Sequence, residues 1–249
     1  MKDKKAKRIR LPVNVISAVG GATLIVGAAV WYKECRSEPI RENYFTKSYT
    51  DAAYNATFRV HTTVTLEEKV DDDDDYEKSW FGSGTLLLDS QTGDNYIFTA
   101  EHLTSDGIYE SKKGELVKIQ QEKITVETHQ ATIFKEDEEN DLALLKLNGS
   151  LEKPFIGKIA QGIKPGDYVM GLGFPSGNKE IFVTRVEKTT SKATFLDIFI
   201  IGGNSGGGVY LITKKELQLC GAVTKRHHIP SLENVREFFK GTPLEDDYL

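Results

Sequence analysis

A serine between glycines, in the run Gly203-Asn204-Ser205-Gly206-Gly207, is the feature of this sequence best suited to chemistry. Serine is a weak nucleophile at neutral pH, so a catalytic serine needs a neighbouring base and hydrogen-bond donors for the oxyanion that forms. Glycines on both sides allow a tight turn that can direct successive backbone N–H groups into one pocket. A serine between glycines is usually only a turn, so catalysis requires partners elsewhere in the chain.

Two segments upstream of Ser205 supply candidate partners. A predicted strand ends at Thr99 and is followed by Ala100, Glu101 and His102, while Asp141 stands directly before the apolar run 142–147. The resulting order is histidine, aspartate, serine. This is the chain order of chymotrypsin-type triads.

The glycine–serine pattern also fits the nucleophile elbow of α/β-hydrolases, which require the order serine, acid, histidine. After Ser205 the only aspartates, Asp246 and Asp247, both follow the last histidine. The order Ser205, Glu216, His227 survives formally, but it leaves no room for the alternating helices of that fold. The chymotrypsin order is therefore favoured.

Four motifs in the same order resemble the trypsin-like serine proteases: Gly82–Gly84, Phe98–His102, Asp141–Lys146 and Gly203–Gly207. The resemblance is closest to the bacterial HtrA/Deg branch, because Gly171–Gly177 is similar to its G-x-P-x-G turn and Ile229–Ser231, before a predicted helix, to the end of its domain. The resemblance runs from about Thr57 to Lys240. The PDZ domain common in HtrA proteins is not expected, because the sequence ends at Leu249.

The resemblance implies a catalytic role for each matching residue. Ser205 is the expected nucleophile, His102 the general base and then acid, and Asp141 the carboxylate that orients the imidazole. The N–H groups of Gly203 and Ser205 are expected to form the oxyanion hole. Asn204 stands where relatives activated by N-terminal cleavage carry an aspartate, so we expect an enzyme that is not activated in this way.

Substrate preference is also inferred from the resemblance. Phe199 matches the position at the base of the primary specificity pocket, and it predicts cleavage after small or medium apolar residues. Gly221, Ala222 and Val223 are expected to belong to an edge strand that pairs with the substrate backbone.

Two residues depart from the family pattern. Glu101 replaces the usual alanine before the histidine, and Gly208 replaces the usual proline after the two glycines. Neither change removes a catalytic group. We expect Glu101 to alter the pH profile and Gly208 to loosen the strand that follows the nucleophile.

Short stretches rich in alternating and β-branched residues predict an all-β fold, either a sandwich or a barrel. The predicted strands are Thr57–Leu66, Thr85–Leu88, Tyr96–Thr99, Leu116–Gln120, Ile124–Thr128, Ala131–Phe134, Leu142–Leu147, Tyr168–Leu172, Ile181–Val186, Phe195–Ile198, Gly208–Leu211 and Leu217–Val223. One short helix is predicted at Ser231–Lys240, with Ser231 as its cap. The resemblance implies two six-stranded antiparallel barrels, about 56–150 and 151–230, within a protease domain at 56–249.

The N-terminal region predicts a membrane anchor. Residues 1–10 form a basic tail with six lysines and arginines against one aspartate, and residues 11–32 contain no charged side chain. Such a run is long enough to cross a hydrocarbon core of about 30 Å as one helix, and its basic flank predicts a cytoplasmic N-terminus and an extracytoplasmic protease domain. A cleaved signal peptide is the alternative, although no clear A-x-A site is present. Residues 33–55 are predicted to be a linker.

Charge and cysteine content restrict the partners. The first ten residues contribute +5 to a net charge of −5, so the remainder carries −10, which argues against nucleic acid. Cys35 and Cys220 are improbable disulfide partners, and no Cys or His spacing predicts a metal or other cofactor. The run Asp71–Asp75 lacks the glycine and terminal glutamate of a calcium loop and predicts a solvated loop.

The sequence therefore predicts a single-pass, membrane-anchored serine endopeptidase acting on protein or peptide substrates without a cofactor. The resemblance also implies a homotrimer, whose interface the sequence does not identify. One alternative is a catalytically latent, trypsin-fold binding or adaptor protein at the membrane. Another is a structural adaptor that acts through the linker or the aspartate run.

Overall fold

The computed structural model describes residues 47–249, apart from 69–75, 105–107, 111–115, 156, 214 and 226. These residues belong to one of two units of the chain, residues 40–249. The predicted basic tail, the predicted membrane span and the aspartate run lie outside the described residues. Within the described ranges no helix is long and apolar enough to cross a membrane.

The first sheet closes into a barrel. Its strands are β1 (Thr57–Leu66), β2 (Glu77–Leu88), β3 (Asn95–Thr99), β4 (Ile108–Glu110), β5 (Leu116–Val126), β6 (His129–Asp137) and β7 (Leu142–Leu147). They follow the order β1-β2-β3-β7-β6-β5-β4, and β1 also pairs with β5. This second pairing closes six antiparallel strands around buried residues such as Val60, Ile97 and Leu145. The first predicted barrel is confirmed.

The second sheet is open. Its strands are β8 (Tyr168–Gly173), β9 (Glu180–Thr189), β10 (Ala193–Leu196), β11 (Gly208–Ile212), β12 (Leu217–Ala222) and β13 (His228–Pro230). The order is β12-β11-β8-β9-β10-β13, and no pairing among the described residues joins the two outer strands. The prediction of a second closed barrel is therefore wrong, and this sheet is a six-stranded half-barrel. Strand β13 has only three residues and already pairs with β10, which leaves little backbone for a pairing that would close the sheet.

The described residues include three α-helices: α1 (Lys47–Asn55), α2 (Leu232–Phe239) and α3 (Glu245–Tyr248). The predicted helix is confirmed as α2, and its cap is Ser231, whose Oγ accepts a hydrogen bond from Asn234 N at 3.2 Å. The last residues of the predicted linker form α1. Ala53 of this helix is fully buried, so α1 contributes to the core.

One apolar core lies between the two sheets. It combines Phe98 and Leu144 of the first sheet with Met170 and Leu219 of the second. Phe239 of α2 also joins this core, with its ring centroid 5.1 Å from that of Phe98. Because both sheets contribute side chains to this core, they are packed directly against each other.

Candidate active site

His102 lies in a 3-10 turn, Glu101–Leu103, that follows β3. The turn is attached to the barrel through Leu103, which is buried. The Leu103 carbonyl oxygen accepts hydrogen bonds from Thr62 Oγ1 at 2.5 Å and from Trp80 Nε1 at 3.1 Å. The imidazole itself is 41% exposed, so it can contact a bound molecule.

Both carboxylate oxygens of Asp141 lie within hydrogen-bond distance of the His102 imidazole. His102 Nδ1 lies 2.9 Å from Oδ1 and 2.9 Å from Oδ2, and the backbone N–H of His102 donates to Oδ1 at 3.0 Å. Asp141 has a φ of 54°, a left-handed conformation that aspartate tolerates better than most residues. With Nδ1–H donated to the carboxylate, Nε2 of the neutral imidazole carries the lone pair that a general base needs.

Ser205 lies next to the histidine turn. Its carbonyl oxygen accepts a hydrogen bond from Ser83 N of β2 at 2.7 Å. A Cβ atom built on Gly82 would lie 2.7 Å from this carbonyl oxygen and 2.4 Å from Leu103 Cδ1, so both loops contact the same residue. The structure thus brings Ser205 beside the turn that carries His102. Among the described residues no hydrogen bond joins Ser205 Oγ to the imidazole, a bond that often tightens only when substrate is bound.

Gly203 lies in the turn directly before Ser205. It is the third residue of a turn closed by a hydrogen bond from Asn204 N to Ile201 O at 3.4 Å, and its φ is 91°. A type II turn needs a positive φ at this position, which favours glycine. The N–H groups of Gly203 and Ser205 have no acceptor among the described residues, so both can donate to an oxyanion.

Ser83 connects the loops around Ser205, a role that the sequence alone does not predict. Its hydroxyl donates to Gly203 O at 2.7 Å and accepts from Phe174 N at 2.9 Å, while its N–H donates to Ser205 O. The side chain is fully buried. The only sequence signal for this role was its place between Gly82 and Gly84.

The residues proposed for substrate binding lie in different environments. Phe199 is 54% exposed, and its ring packs edge-on against His227 with centroids 5.0 Å apart. Gly221, Ala222 and Val223 are buried. Val223 already bonds to the loop 203–207 that carries Ser205, because its N–H donates to Gly207 O at 2.9 Å and its C=O accepts from Gly206 N at 2.7 Å.

Gly208 makes room for a buried polar pair. It pairs with Ala222 at the start of β11, and a Cβ atom there would lie 2.4 Å from Thr85 Oγ1 and 2.5 Å from Tyr210 Oη. Those two hydroxyls lie 3.1 Å apart. The departure from the family's proline therefore has a packing reason, since any side chain would displace this pair.

A cavity of about 170 Å³ lies beside Asp141. Its lining has side chains of both charges, Glu139 and Asp141 as well as Lys192 and Lys225, together with His228. Burial lowers the pKa of His228, and Lys225 lowers it further. Within the described part of the chain, no group of three or more His, Cys, Asp or Glu side chains is placed to hold a metal ion.

Glu101 adds a negative charge beside this site. Burial raises the pKa of its carboxyl group, and Asp141, Glu136 and Glu138 raise it further. A raised pKa means that the folded protein holds this proton more tightly than the unfolded chain does. The stability gained from the protonated side chain is therefore complete below the ordinary value of 4.5 and is lost as the pH rises through the raised pKa.

We therefore expect Glu101→Gln to raise the thermal midpoint at pH 7, and the gain to vanish below pH 4.5, the ordinary pKa. The gain should not exceed about 2 °C, because solvent screens this partly exposed group. Thermal unfolding at both pH values measures it, with the exposed Glu152→Gln as control. An equal gain at pH 4 and pH 7 would show that burial and charge at Glu101 are not the cause.

Comparisons with known proteins identify the family and the fold of this chain. The family model described as a trypsin-like peptidase domain matches residues 82–217. A solved structure, the HtrA-type protease AlgW with decapeptide, is similar at a TM-score of 0.51 and 18% identity. The alignment covers 76% of this chain and 66% of that one, and at this identity the likeness shows the fold alone. No curated protein matches the sequence. Because the family model spans more than half of the sequence and includes His102, Asp141 and Ser205, the chain belongs to the trypsin-like peptidase family.

Proposed function

We propose that this protein is a membrane-anchored serine endopeptidase. One observation carries the proposal: His102 Nδ1 lies 2.9 Å from both oxygens of Asp141, in a turn adjacent to the loop of Ser205. The unbonded N–H groups of Gly203 and Ser205 support it, because an acyl transfer needs donors for the oxyanion. Membership of a peptidase family is consistent with this chemistry.

In the proposed reaction, Ser205 Oγ attacks the scissile carbonyl carbon while its proton moves to His102 Nε2. Asp141 stabilises the imidazolium that results. The N–H groups of Gly203 and Ser205 bind the oxyanion, and such a donor is typically worth about 3 kcal/mol in the transition state. The tetrahedral intermediate then expels the amine, which takes the proton from His102, and leaves an ester on Ser205. Water, deprotonated by His102, hydrolyses this ester and regenerates the serine.

The proposed substrates are proteins or peptides cleaved after small or medium apolar residues. Phe199 and Ile201 support this preference, because these apolar side chains are 54% and 51% exposed just before residues 203–207, the nucleophile loop of this proposal. Neither carries a charge that would select arginine or lysine. Mass spectrometry of a digested peptide library checks the preference, and cleavage confined to arginine and lysine would contradict it.

The anchor and the extracytoplasmic location are part of the proposal. Their support is the uncharged run at residues 11–32 after a basic tail. Fractionation of cells that produce the full-length chain tests the anchor. Recovery of the intact chain in the soluble fraction would overturn it.

A serine-reactive fluorophosphonate probe tests the catalytic proposal. The full-length protein in detergent should be labelled once per chain, and Ser205→Ala and His102→Ala should both abolish labelling. Ser150→Ala, at an exposed serine, is the matched control and should be labelled like the unmodified protein. Absence of labelling in the unmodified protein would reject a competent site.

A second candidate function is a catalytically latent binding or adaptor protein on the same fold. One observation favours it, the missing hydrogen bond between Ser205 Oγ and the imidazole among the described residues. In that case the protein would bind peptides but remain unlabelled by the probe.

A further inference from the structure

Lys179 lies in a cluster of aromatic rings near the nucleophile loop. Its Nζ is 4.6 Å from the ring centroid of Tyr54, 5.5 Å from that of Phe58 and 5.3 Å from that of Phe174. The same ammonium donates a hydrogen bond to Tyr54 O at 2.9 Å. Each ring face attracts the cation, and the attraction is greater where water is partly excluded.

One side of this cluster is the end of α1. The last carbonyl groups of a helix have no partner within the helix and carry a partial negative charge. Helix α1 has no basic residue in its own last turn. Lys179, from the loop before β9, therefore supplies the cation that binds Tyr54 O.

The other side of the cluster is the backbone that supports Gly203. Phe174 N lies 2.9 Å from Ser83 Oγ and 3.3 Å from Gly203 O. A Cβ atom on Gly203 would lie 2.5 Å from Phe174 O, so the two backbones are in direct contact. A shift of Phe174 would therefore change the orientation of the Gly203 peptide.

We propose that Lys179 is a positioning residue for the oxyanion hole. Its ammonium joins the end of α1 to the ring of Phe174, and Phe174 in turn holds Gly203 with its N–H free. The functional part of this inference rests on the proposed peptidase activity. The physical link between Lys179 and the nucleophile loop does not depend on that activity.

Hydrogen exchange measured by mass spectrometry on the full-length protein tests the link without requiring activity. Lys179→Met keeps the aliphatic stem but removes the charge. It should speed exchange about tenfold in peptides that cover residues 172–176 and 201–207, as expected for loss of a hydrogen bond to a charged group. The amides of Asn204, Gly206 and Gly207 report the change, because they are hydrogen-bonded in this structure. Lys179→Arg should restore slow exchange.

Lys188→Met is the matched control, because Lys188 also lies over a ring, that of Phe195 at 4.3 Å, but is exposed. It should leave both peptides unchanged. Phe174→Leu is a second test variant, which removes the ring yet keeps the backbone, and should reproduce the local effect. Unchanged exchange in Lys179→Met and Phe174→Leu, or uniform acceleration across the core, would overturn the positioning role.

The labelling rate separates this inference from the proposed function. If the positioning role and the peptidase function both hold, Lys179→Met should be labelled by the fluorophosphonate about tenfold more slowly, but to the same final extent. Local acceleration of exchange without labelling in any variant would support the positioning role and reject the peptidase. Normal labelling of Lys179→Met together with unchanged exchange would support the peptidase and reject the positioning role.

Discussion

Replacing Asp141 with asparagine should lower the rate of acylation by about four orders of magnitude, as the same change does in related triads. Oδ1 of Asp141 also accepts the backbone N–H of His102 at 3.0 Å, so asparagine should keep its oxygen there and place its amide nitrogen at the position of Oδ2, 2.9 Å from His102 Nδ1. Two donors cannot face each other at this distance. The imidazole must then carry its proton on Nε2, where it can no longer accept one from Ser205.

The rate of fluorophosphonate labelling of the full-length protein measures this effect. The control is Glu139→Gln, which removes a negative charge from the same turn. Glu139 is 80% exposed and its nearest ion-pair partner is Lys192 at 3.7 Å, so this variant should label at nearly the normal rate. If Asp141→Asn keeps more than about a tenth of the normal rate, Asp141 does not set the imidazole tautomer.

Gly206→Ala should destabilise the protein by more than about 3 kcal/mol, or prevent folding altogether. A Cβ atom on Gly206 would lie 2.0 Å from Thr99 Oγ1 and 2.1 Å from Ser83 O. The second contact is with backbone that also holds Ser205, so it cannot relax by a side-chain rotation. The φ of 79° adds strain for any residue with a Cβ atom.

Gly93→Ala provides a matched control for this substitution. Gly93 has a φ of 77°, close to that of Gly206, but a Cβ atom there would meet nothing within 4 Å. Gly93→Ala should lower the free energy of unfolding only by the strain of the left-handed backbone, about 1 kcal/mol. Urea denaturation of both variants measures the difference. Equal midpoints would show that the close approach of Gly206 to the first sheet is not a constraint.

Sequence periodicity predicted strands well where the pattern was strong and contacts were local. The alternation in 57–66 predicted β1 with its observed bounds. The predicted break between Leu116–Gln120 and Ile124–Thr128 was wrong, because β5 continues through it as one strand. The polar residues 121–123 stay extended because they pair with β1, where Val64 lies opposite Glu122. No local pattern could reveal that pairing.

The candidate site, like the strands, was predictable where the signal was local and not where it depended on distant partners. The order of His102, Asp141 and Ser205, together with their flanking residues, was enough to predict them as one site, because each needs a specific chemical type in a recognisable turn. Ser83 and Lys179 carried no such signal. A buried serine and a lysine are recognised as supports only when their partners are known.

The sequence by itself thus determined the chemistry available to this protein and the class of fold, since both depend on residue types and on short-range periodicity. The tertiary structure decided that one sheet closes while the other stays open, and that the N–H groups of Gly203 and Ser205 have no hydrogen-bond acceptor in the described part of the chain. It also decided that Ser83 binds Gly203, a residue 120 positions away. Such contacts depend on the packing of the whole core, in which residues far apart in the chain become neighbours, and no local pattern encodes them.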